Sequence, residues 1–405
     1  MMINVVGLGY IGLPTALILA ASGTKVVGTD YDEKLIGVLN AGKTTFDELG
    51  IEELYNEAVD SGIVFSNEYI ETDMYIITVP TPYEKENKKI NPNYILSAVK
   101  SVLKVCKKET ILVIESTVSP GTIDKFVRPL IIEQGFEIGT DIHIVHAPER
   151  ILPGNMIHEL KHNSRTIGAD NKEVGEKVKT IYSRFCESDI IVTDIRTAEM
   201  TKVVENTFRD INIAFANELT KICRSDNMDV HEIIKIANMH PRVNILNPGP
   251  GVGGHCISVD PWFLVGDYPG LTNIILTARE INDSMPEFVL ERIHAIMQEN
   301  SMTDLKKVGL YGLTYKQDVD DVRESPTLQL LEKMEKHLAE PLKVYDPMVK
   351  SKIVKNQYME FNEFLNGIDL VVVMVSHSHI LNHLKGLKGK IVLDTQNIIK
   401  DAYKL

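Results

Sequence analysis

Short apolar runs recur along the chain, each closed by a glycine-rich or polar break. Residues 3–6 form the first run, residues 13–21 carry good helix formers, and residues 26–30 read as a strand that ends in an acid. Further buried strands are predicted at 74–79, 111–114 and 142–145. Uninterrupted apolar runs of this length suit strands covered on both faces. Residues 197–223 then contain no Gly or Pro. They predict one long helix on which Lys202, Asn206 and Arg209 share a face, being spaced i, i+4, i+7. The flanking Val203, Val204, Phe208, Ile211, Ile213 and Phe215 make that helix apolar on most sides, so it is expected to be largely buried. Helices are predicted at 233–239, 272–282 and 286–297, and strands resume at 308–313, 343–345, 369–375 and 391–394. The expected fold class is α/β. It consists of two doubly wound domains, 1–195 and 301–405, joined by a central helical domain, 196–300, with a long spine helix.

One stretch interrupts this pattern. Residues 247–263 read N-P-G-P-G-V-G-G-H-C-I-S-V-D-P-W-F. Neither helix nor strand is expected to survive that composition, and a tight loop whose backbone approaches a ligand closely is predicted instead. His255, Cys256 and Asp260 sit in it. A thiol on a glycine-bedded loop beside a histidine and a carboxylate is the pattern of a nucleophile. Taken alone, a lone cysteine favours a buried thiol in a structural turn, and the rest of the sequence reverses that reading.

Composition narrows the setting. The chain has 405 residues, 44% hydrophobic and 24% charged, with a formal net charge of -13. That is enough chain for two or three domains. The charge argues against nucleic acid or an anionic membrane as partner, and requires local basic residues for any anionic substrate. The scattered cysteines Cys106, Cys186, Cys223 and Cys256 form no C-x-x-C. They suggest a reducing compartment, neither a disulfide framework nor a metal site. No basic region precedes the first apolar run and no apolar stretch is long enough to span a bilayer, so a cytoplasmic location is expected.

The first break carries the clearest chemistry. Gly7-Leu8-Gly9-Tyr10-Ile11-Gly12 stands between a strand and a helix, and the next strand ends in Asp30. This strand, G-x-G-x-x-G, helix, strand, acid order is a dinucleotide-binding pattern. An acid at Asp30 favours NAD over NADP, because a 2′-phosphate would face a like charge. Thr81 and Thr117 follow later strand ends, where ligands of such sheets bind, yet each could equally cap a turn. Glu149 and Arg150 follow another, and are not expected to be buried without partners. His240 and Arg242 alternate in a predicted extended segment. Lys316 and Arg323 lie amid four acids in 313–326 and leave salt bridges or ligand contact open.

Taken together, V-G-L-G-Y-I-G-L-P, V-P-T-P, E-S-T, A-P-E-R, T-A-E-M-T-K-V-V-E-N-T-F-R, G-P-G-V-G-G-H-C-I-S-V-D-P and D-D-V-R-E-S-P resemble the UDP-glucose/GDP-mannose dehydrogenase family, in order and over essentially the whole chain. The resemblance implies two Rossmann-like domains, a dimer or higher homo-oligomer formed through the helical middle, NAD on the first domain and UDP on the last. It implies a four-electron oxidation of a sugar C6 alcohol through a thiohemiacetal and a thioester on Cys256. Lys202 would be the acid/base, with Asn206 stabilising the oxyanion. Asp260 would activate water or tune Lys202, and Thr117 and Glu149 would position the hydrolytic water. Arg150, Ile151, Lys202, Asn206, Arg209, His240 and Arg242 would hold the substrate. Gly253 would offer backbone to it, and Tyr315 and Lys316 would meet it from the last domain. Gly7, Gly9, Tyr10, Ile11, Gly12, Asp30, Thr81 and Thr117 would bind NAD, joined by Arg323. The segments 240–246 and 205–219 look most like the branch acting on UDP-N-acetylmannosamine. UDP-N-acetylglucosamine and UDP-glucose 6-dehydrogenases come next, and Arg150, where the UDP-glucose branch usually has Phe, favours an N-acetylhexosamine. Two other classes compete: a non-catalytic nucleotide-sugar sensor, which has no need of Cys256, Lys202 and Asp260 together, and a hydroxyacid or 6-phosphogluconate-type dehydrogenase, which has no need of the cysteine loop.

Overall fold

The computed structural model describes residues 1–254, 256–336 and 342–405. It divides into two compact units, Met1–Glu205 and Asn206–Leu405.

The first unit is built on an eight-stranded sheet: β1 (Met2–Val6), β2 (Lys25–Thr29), β3 (Val64–Ser66), β4 (Met74–Ile77), β5 (Thr110–Ile114), β6 (Ile142–His146), β7 (Arg165–Ala169) and β8 (Ile190–Thr193), in the order β3-β2-β1-β4-β5-β6-β7-β8. All neighbours are parallel except β6 and β7. Central strands are apolar on both faces because both are covered; Ile3, Val5, Ile76 and Val113 are buried in the cluster that also takes Leu13, Leu17, Leu54 and Ile181 from the helices. Strand order reverses between β1 and β4, and a crevice at the carboxyl ends there is where such sheets bind ligands. The strands β3, β7 and β8 were not expected from the sequence. β3 and β8 are three and four residues long with exposed positions such as Val64 and Ile191, and β7 opens with the charged Arg165.

The second unit opens with the remainder of the long helix Ile195–Ser225 and the helix Val230–Ala237. The helices Asp260–Asp267 and Asn273–Glu299 follow, then a five-stranded parallel sheet: β9 (Val308–Tyr311), β10 (Lys343–Tyr345), β11 (Gln357–Tyr358), β12 (Leu370–Val373) and β13 (Ile391–Asp394), in the order β11-β10-β9-β12-β13. Met285, Val289, Ile293 and Ile296 of the helix Asn273–Glu299 share a core with Val308 and Leu310 of this sheet and with Leu330 of the helix Pro326–Lys336.

Three expectations are corrected. The stretches 272–282 and 286–297 are one helix, with Pro286 inside it. Proline costs an intrahelical bond, and here the helix is held across that point by packing and by a buried network. Arg279 pairs with Asp210 at 2.6 Å, and Asn282 reaches the Asp210 carboxylate at 2.8 Å and Asn217 at 2.8 Å. The glycine loop ends at Val259 rather than Phe263, because Pro261 falls in the first turn of the helix Asp260–Asp267, where its missing N–H costs nothing. The long helix is not buried all round: Val204, Phe208, Phe215 and Ile222 are 47%, 64%, 48% and 51% exposed.

Candidate functional site

In the first unit the loop after β1 is shaped by what a side chain would strike. Gly7 has φ +92°, and a Cβ on Gly12 would overlap the Gly7 carbonyl and the Thr78 hydroxyl. Gly9 differs, since nothing lies within 4 Å of where its Cβ would be. Packing does not demand glycine there, whereas close approach by a pyrophosphate does. The Asp30 carboxylate accepts from Leu8 N–H at 2.7 Å and from Asp32 N–H at 3.0 Å, so it also holds the glycine loop in place. Thr78 Oγ1 donates to Gly7 O at 2.6 Å. Tyr10 is half-buried and lies against Phe46, ring centroids 4.5 Å apart, while Ile11 precedes the helix Gly12–Ala21. An open glycine, a half-buried acid at the end of β2 and a helix N-terminus fit a dinucleotide.

The next strand ends add polar groups. Thr81 is buried beyond β4, and Thr117 is half-buried beyond β5. Glu149, beyond β6, is buried and ion-paired with Arg165, as the sequence led one to expect of a carboxylate in this position. Its Oε1 accepts from Arg150 N–H at 2.7 Å. Ile151 beside it is buried. The Arg150 guanidinium grips Glu205 through Nε at 2.8 Å and Nη2 at 2.6 Å, and also bonds Thr166 and the Ser164 carbonyl. Its charge is met within the protein by Glu205.

The long helix carries buried Lys202 and, three residues earlier, fully buried Glu199. Glu199 accepts from Gly121 N–H at 2.5 Å and Ile123 N–H at 3.0 Å, which anchors the loop following Thr117. Burial pushes its carboxyl up to about 6.

In the second unit Cys256 is partly exposed, unlike buried Cys186 and Cys223. Its carbonyl accepts from Asp260 N–H at 2.9 Å, which starts the helix Asp260–Asp267. Asp260 is buried and its Oδ2 takes a 2.6 Å hydrogen bond from buried Asn206. His255 lies outside the described residues. The glycines flanking the thiol are dictated by packing. A Cβ on Gly253 would lie 2.7 Å from both the Glu324 carbonyl and Tyr315 Cβ, and one on Gly254 would lie 2.7 Å from the Tyr315 ring. Gly254 N–H donates to Arg323 O at 2.9 Å. The loop is thus seated on the 315–326 segment.

Tyr315 and Lys316 are half-buried after β9. Arg323 is clamped by Asp321 through Nε at 2.9 Å and Nη2 at 2.6 Å, the salt-bridge alternative left open by the sequence. His240 and Arg242 form a turn, closed by Val243 N–H to His240 O at 3.0 Å, and not an extended segment. Pro241 between them fixes a φ suited to a turn. Both are exposed, and so is Arg209, which is not the buried cation expected from its helix face.

Sequence reasoning missed Glu115 and Arg165. Glu115 was visible in the E-S-T motif, but only the strand reversal at β7 brings Arg165 to it.

A two-sheet α/β chain with a dinucleotide loop in one unit and a thiol loop in the other belongs to the NAD-dependent dehydrogenases. Family models agree: the NAD binding domain of the UDP-glucose/GDP-mannose dehydrogenase family matches residues 1–186, its central domain residues 196–284 and its UDP binding domain residues 309–401. The chain therefore belongs to the UDP-glucose/GDP-mannose dehydrogenase family, and is an NAD-dependent nucleotide-sugar dehydrogenase. It is 41% identical to the UDP-N-acetyl-D-mannosamine dehydrogenase of Methanococcus aeolicus over 98% of this chain and 91% of that one. It is also 41% identical to the Campylobacter jejuni protein of the same name, over 93% and 95%. The solved UDP-N-acetyl-mannosamine dehydrogenase of Staphylococcus aureus superposes with a TM-score of 0.89 at 40% identity, covering 99% and 96%.

Proposed function

We propose that the chain oxidises UDP-N-acetyl-D-mannosamine at C6 to UDP-N-acetyl-D-mannosaminuronate. The observation that carries this reading is the partly exposed Cys256, set on a packed glycine loop whose next helix begins with Asp260 bonded to Asn206. The relatives named above, about two-fifths identical over nearly full length, favour the manno sugar.

NAD, when bound, supplies the two-electron acceptor, used twice per sugar. Lys202 takes the C6 hydroxyl proton as the alcohol becomes an aldehyde. The Cys256 thiolate then adds to the aldehyde carbon, and Lys202 returns its proton to the new oxyanion, which Asn206 also meets, giving the thiohemiacetal hydroxyl. Lys202 takes that hydroxyl's proton again as the thiohemiacetal becomes a thioester. Water held by Thr117 and Glu149 attacks the thioester, with Asp260 activating it or tuning Lys202. The C–S bond breaks, the thiolate leaves and the carboxylate carries the water oxygen. Residues 1–195 serve the cofactor, 196–300 the chemistry and 301–405 the UDP. Arg150, Ile151, Arg209, His240, Arg242, Gly253, Tyr315 and Lys316 contribute to substrate binding, and Arg323 to NAD.

The enzyme works as a homodimer or larger homo-oligomer. Phe208, Phe215 and Ile222 are exposed at intervals of seven on one helix, the spacing of a seam between helices. Among the described residues no helix is long and apolar enough to cross a membrane.

The test is NADH formed per sugar consumed, with UDP-N-acetylmannosamine and UDP-N-acetylglucosamine offered separately. Two with the manno sugar alone is expected. Two with the gluco sugar moves the substrate assignment, and one with either removes the thioester. Cys256→Ser is expected to bind substrate and lose turnover.

A further inference from the structure

Beneath the carboxyl edge of the first sheet lies a buried charged cluster. Arg165 is 4% exposed, Glu115 1% and Glu149 6%. Arg165 pairs with Glu149 and, through Nη1, with Glu115 at 3.4 Å. Its guanidinium lies 4.9 Å from the centre of the Tyr182 ring and 5.1 Å from that of Phe185, which wall the site with aromatic surface. The reversal of chain direction at β7, which β8 shares, puts it there. His146 of β6 pairs with Gly168 of antiparallel β7, and the same register continued three residues sets Glu149 opposite Arg165. In a parallel β7 the first residue would lie at the other edge.

Burying one cation with two carboxylates is expensive, and an apolar trio of similar volume would stabilise the fold as well or better. The arrangement therefore calls for a use. Its two carboxylates belong to the two loops that carry the water-positioning pair: Glu115 is two residues before Thr117, and the other carboxylate is Glu149 itself. The guanidinium fork is suited to fixing both at once.

We infer that Arg165 is the positioning residue of thioester hydrolysis, tying the Thr117 loop to the Glu149 loop so that both address one water. This rests on the reading of Glu149 and Thr117 proposed above. Burial, and after it the neighbouring Glu149 carboxylate, push the Glu115 carboxyl up to about 8.

The experiment is rapid-mixing measurement of NADH by the full-length enzyme with saturating UDP-sugar. Arg165→Met is expected to give a burst of two NADH per active site, then a kcat lower by ~10²-fold, the scale of a misplaced reacting group. KM for the sugar is expected to change little. Hydroxylamine, which cleaves thioesters without an activated water, is expected to restore turnover. Arg165→Lys keeps the charge without the fork, and is expected to show the burst with a smaller loss. Loss of burst and steady rate together, or no rescue by hydroxylamine, would make Arg165 merely structural and overturn the inference. Should Arg165→Met fail to fold, Arg165→Lys decides, and wild-type turnover by it sinks the idea. Glu149→Gln separates the two layers. A burst with Glu149→Gln but none with the Arg165 variants removes only the role of Arg165. No burst with Glu149→Gln removes the hydrolytic reading, and this inference falls with it.

Discussion

The two sheets solve the same local problem with one device and then diverge. In the first unit β1 ends at Gly7, φ +92°, and Asp30 beyond β2 accepts from Leu8 N–H at 2.7 Å. In the second, β9 is followed by Gly312, φ +106°, and Asp346 beyond β10 accepts from Leu313 N–H at 2.5 Å and Thr314 N–H at 3.0 Å. Each time a carboxylate at the end of the neighbouring strand pins the turn at the switch point. After that the loops part. The first continues with Gly9, beside open space, and its acid stays half-buried. The second continues with fully buried Thr314, and its acid is buried and also meets His377 Nε2 at 3.2 Å. His377 in turn accepts from Asp318 N–H at 2.9 Å, so the 314–323 loop is tied down from inside. A shared scaffold thus leaves one turn free for a pyrophosphate and closes the other. Fold alone assigns neither ligand.

Substitutions sharpen this contrast. Asp346→Ala is expected to have the largest effect, about 3–5 kcal/mol of stability, because it strands buried donors and a buried imidazole. Chemical denaturation followed by far-UV circular dichroism checks it, and a variant as stable as the parent would break the comparison. Asp30→Ala should cost the fold less and NAD more, raising the KM for NAD about tenfold or more through loss of a charge-assisted acceptor worth about 1.5–3 kcal/mol. Gly9→Val is expected to weaken NAD binding with no measurable change in melting temperature, read by cofactor titration and calorimetry. Thr314→Gly restores the first loop's residue in the second. It should lower stability by about 1 kcal/mol through backbone entropy and create no second NAD site, which equilibrium dialysis would detect.

The faintest expected signal is a difference in pH response. Glu115 is raised in the fold, so its contribution is complete below about pH 4 and is lost as pH climbs toward 8. Burial alone would raise Asp346, but the His377 and backbone N–H hydrogen bonds outweigh it and lower its pKa. Its contribution is present above about pH 4 and is lost on acidification. Amide exchange in the intact chain should therefore show the strand ends around Glu115 loosening between pH 5 and 8 and the turn at Leu313 and Thr314 loosening in acid. Parallel curves for these two segments would contradict this.

Much of this contrast was legible in the sequence, and some was not. Asp30 and the glycines could be read because their spacing is local, and the strands β1, β4, β5, β9 and β12 because both their faces are apolar. The kinship of Asp30 and Asp346 was hidden: G-L-G and G-L-T share two letters, and the pinning acids lie 22 residues from Leu8 and 33 from Leu313. The fit of Gly253 and Gly254 against Tyr315 was hidden for the same reason, since partners some sixty residues apart leave no periodic trace. Glycine spacing therefore showed the tight loop but not the packing that shapes it. Apolar letters on the helix Ile195–Ser225 implied burial, but a single chain leaves Phe208 and Phe215 in solvent. Composition says that a side chain seeks cover without saying whose.

The seating of the thiol loop has a consequence for biosynthesis. Gly253 and Gly254 leave the ribosome well before Tyr315, Arg323 and Glu324, against which they are shaped and to which Gly254 N–H is bonded. Because chains emerge and fold from the N-terminus, the cofactor-binding sheet can form while Cys256 still lies on an unseated loop. The nucleophile is assembled late, and a nascent chain cut short before residue 315 would hold a dinucleotide fold with no finished thiol site.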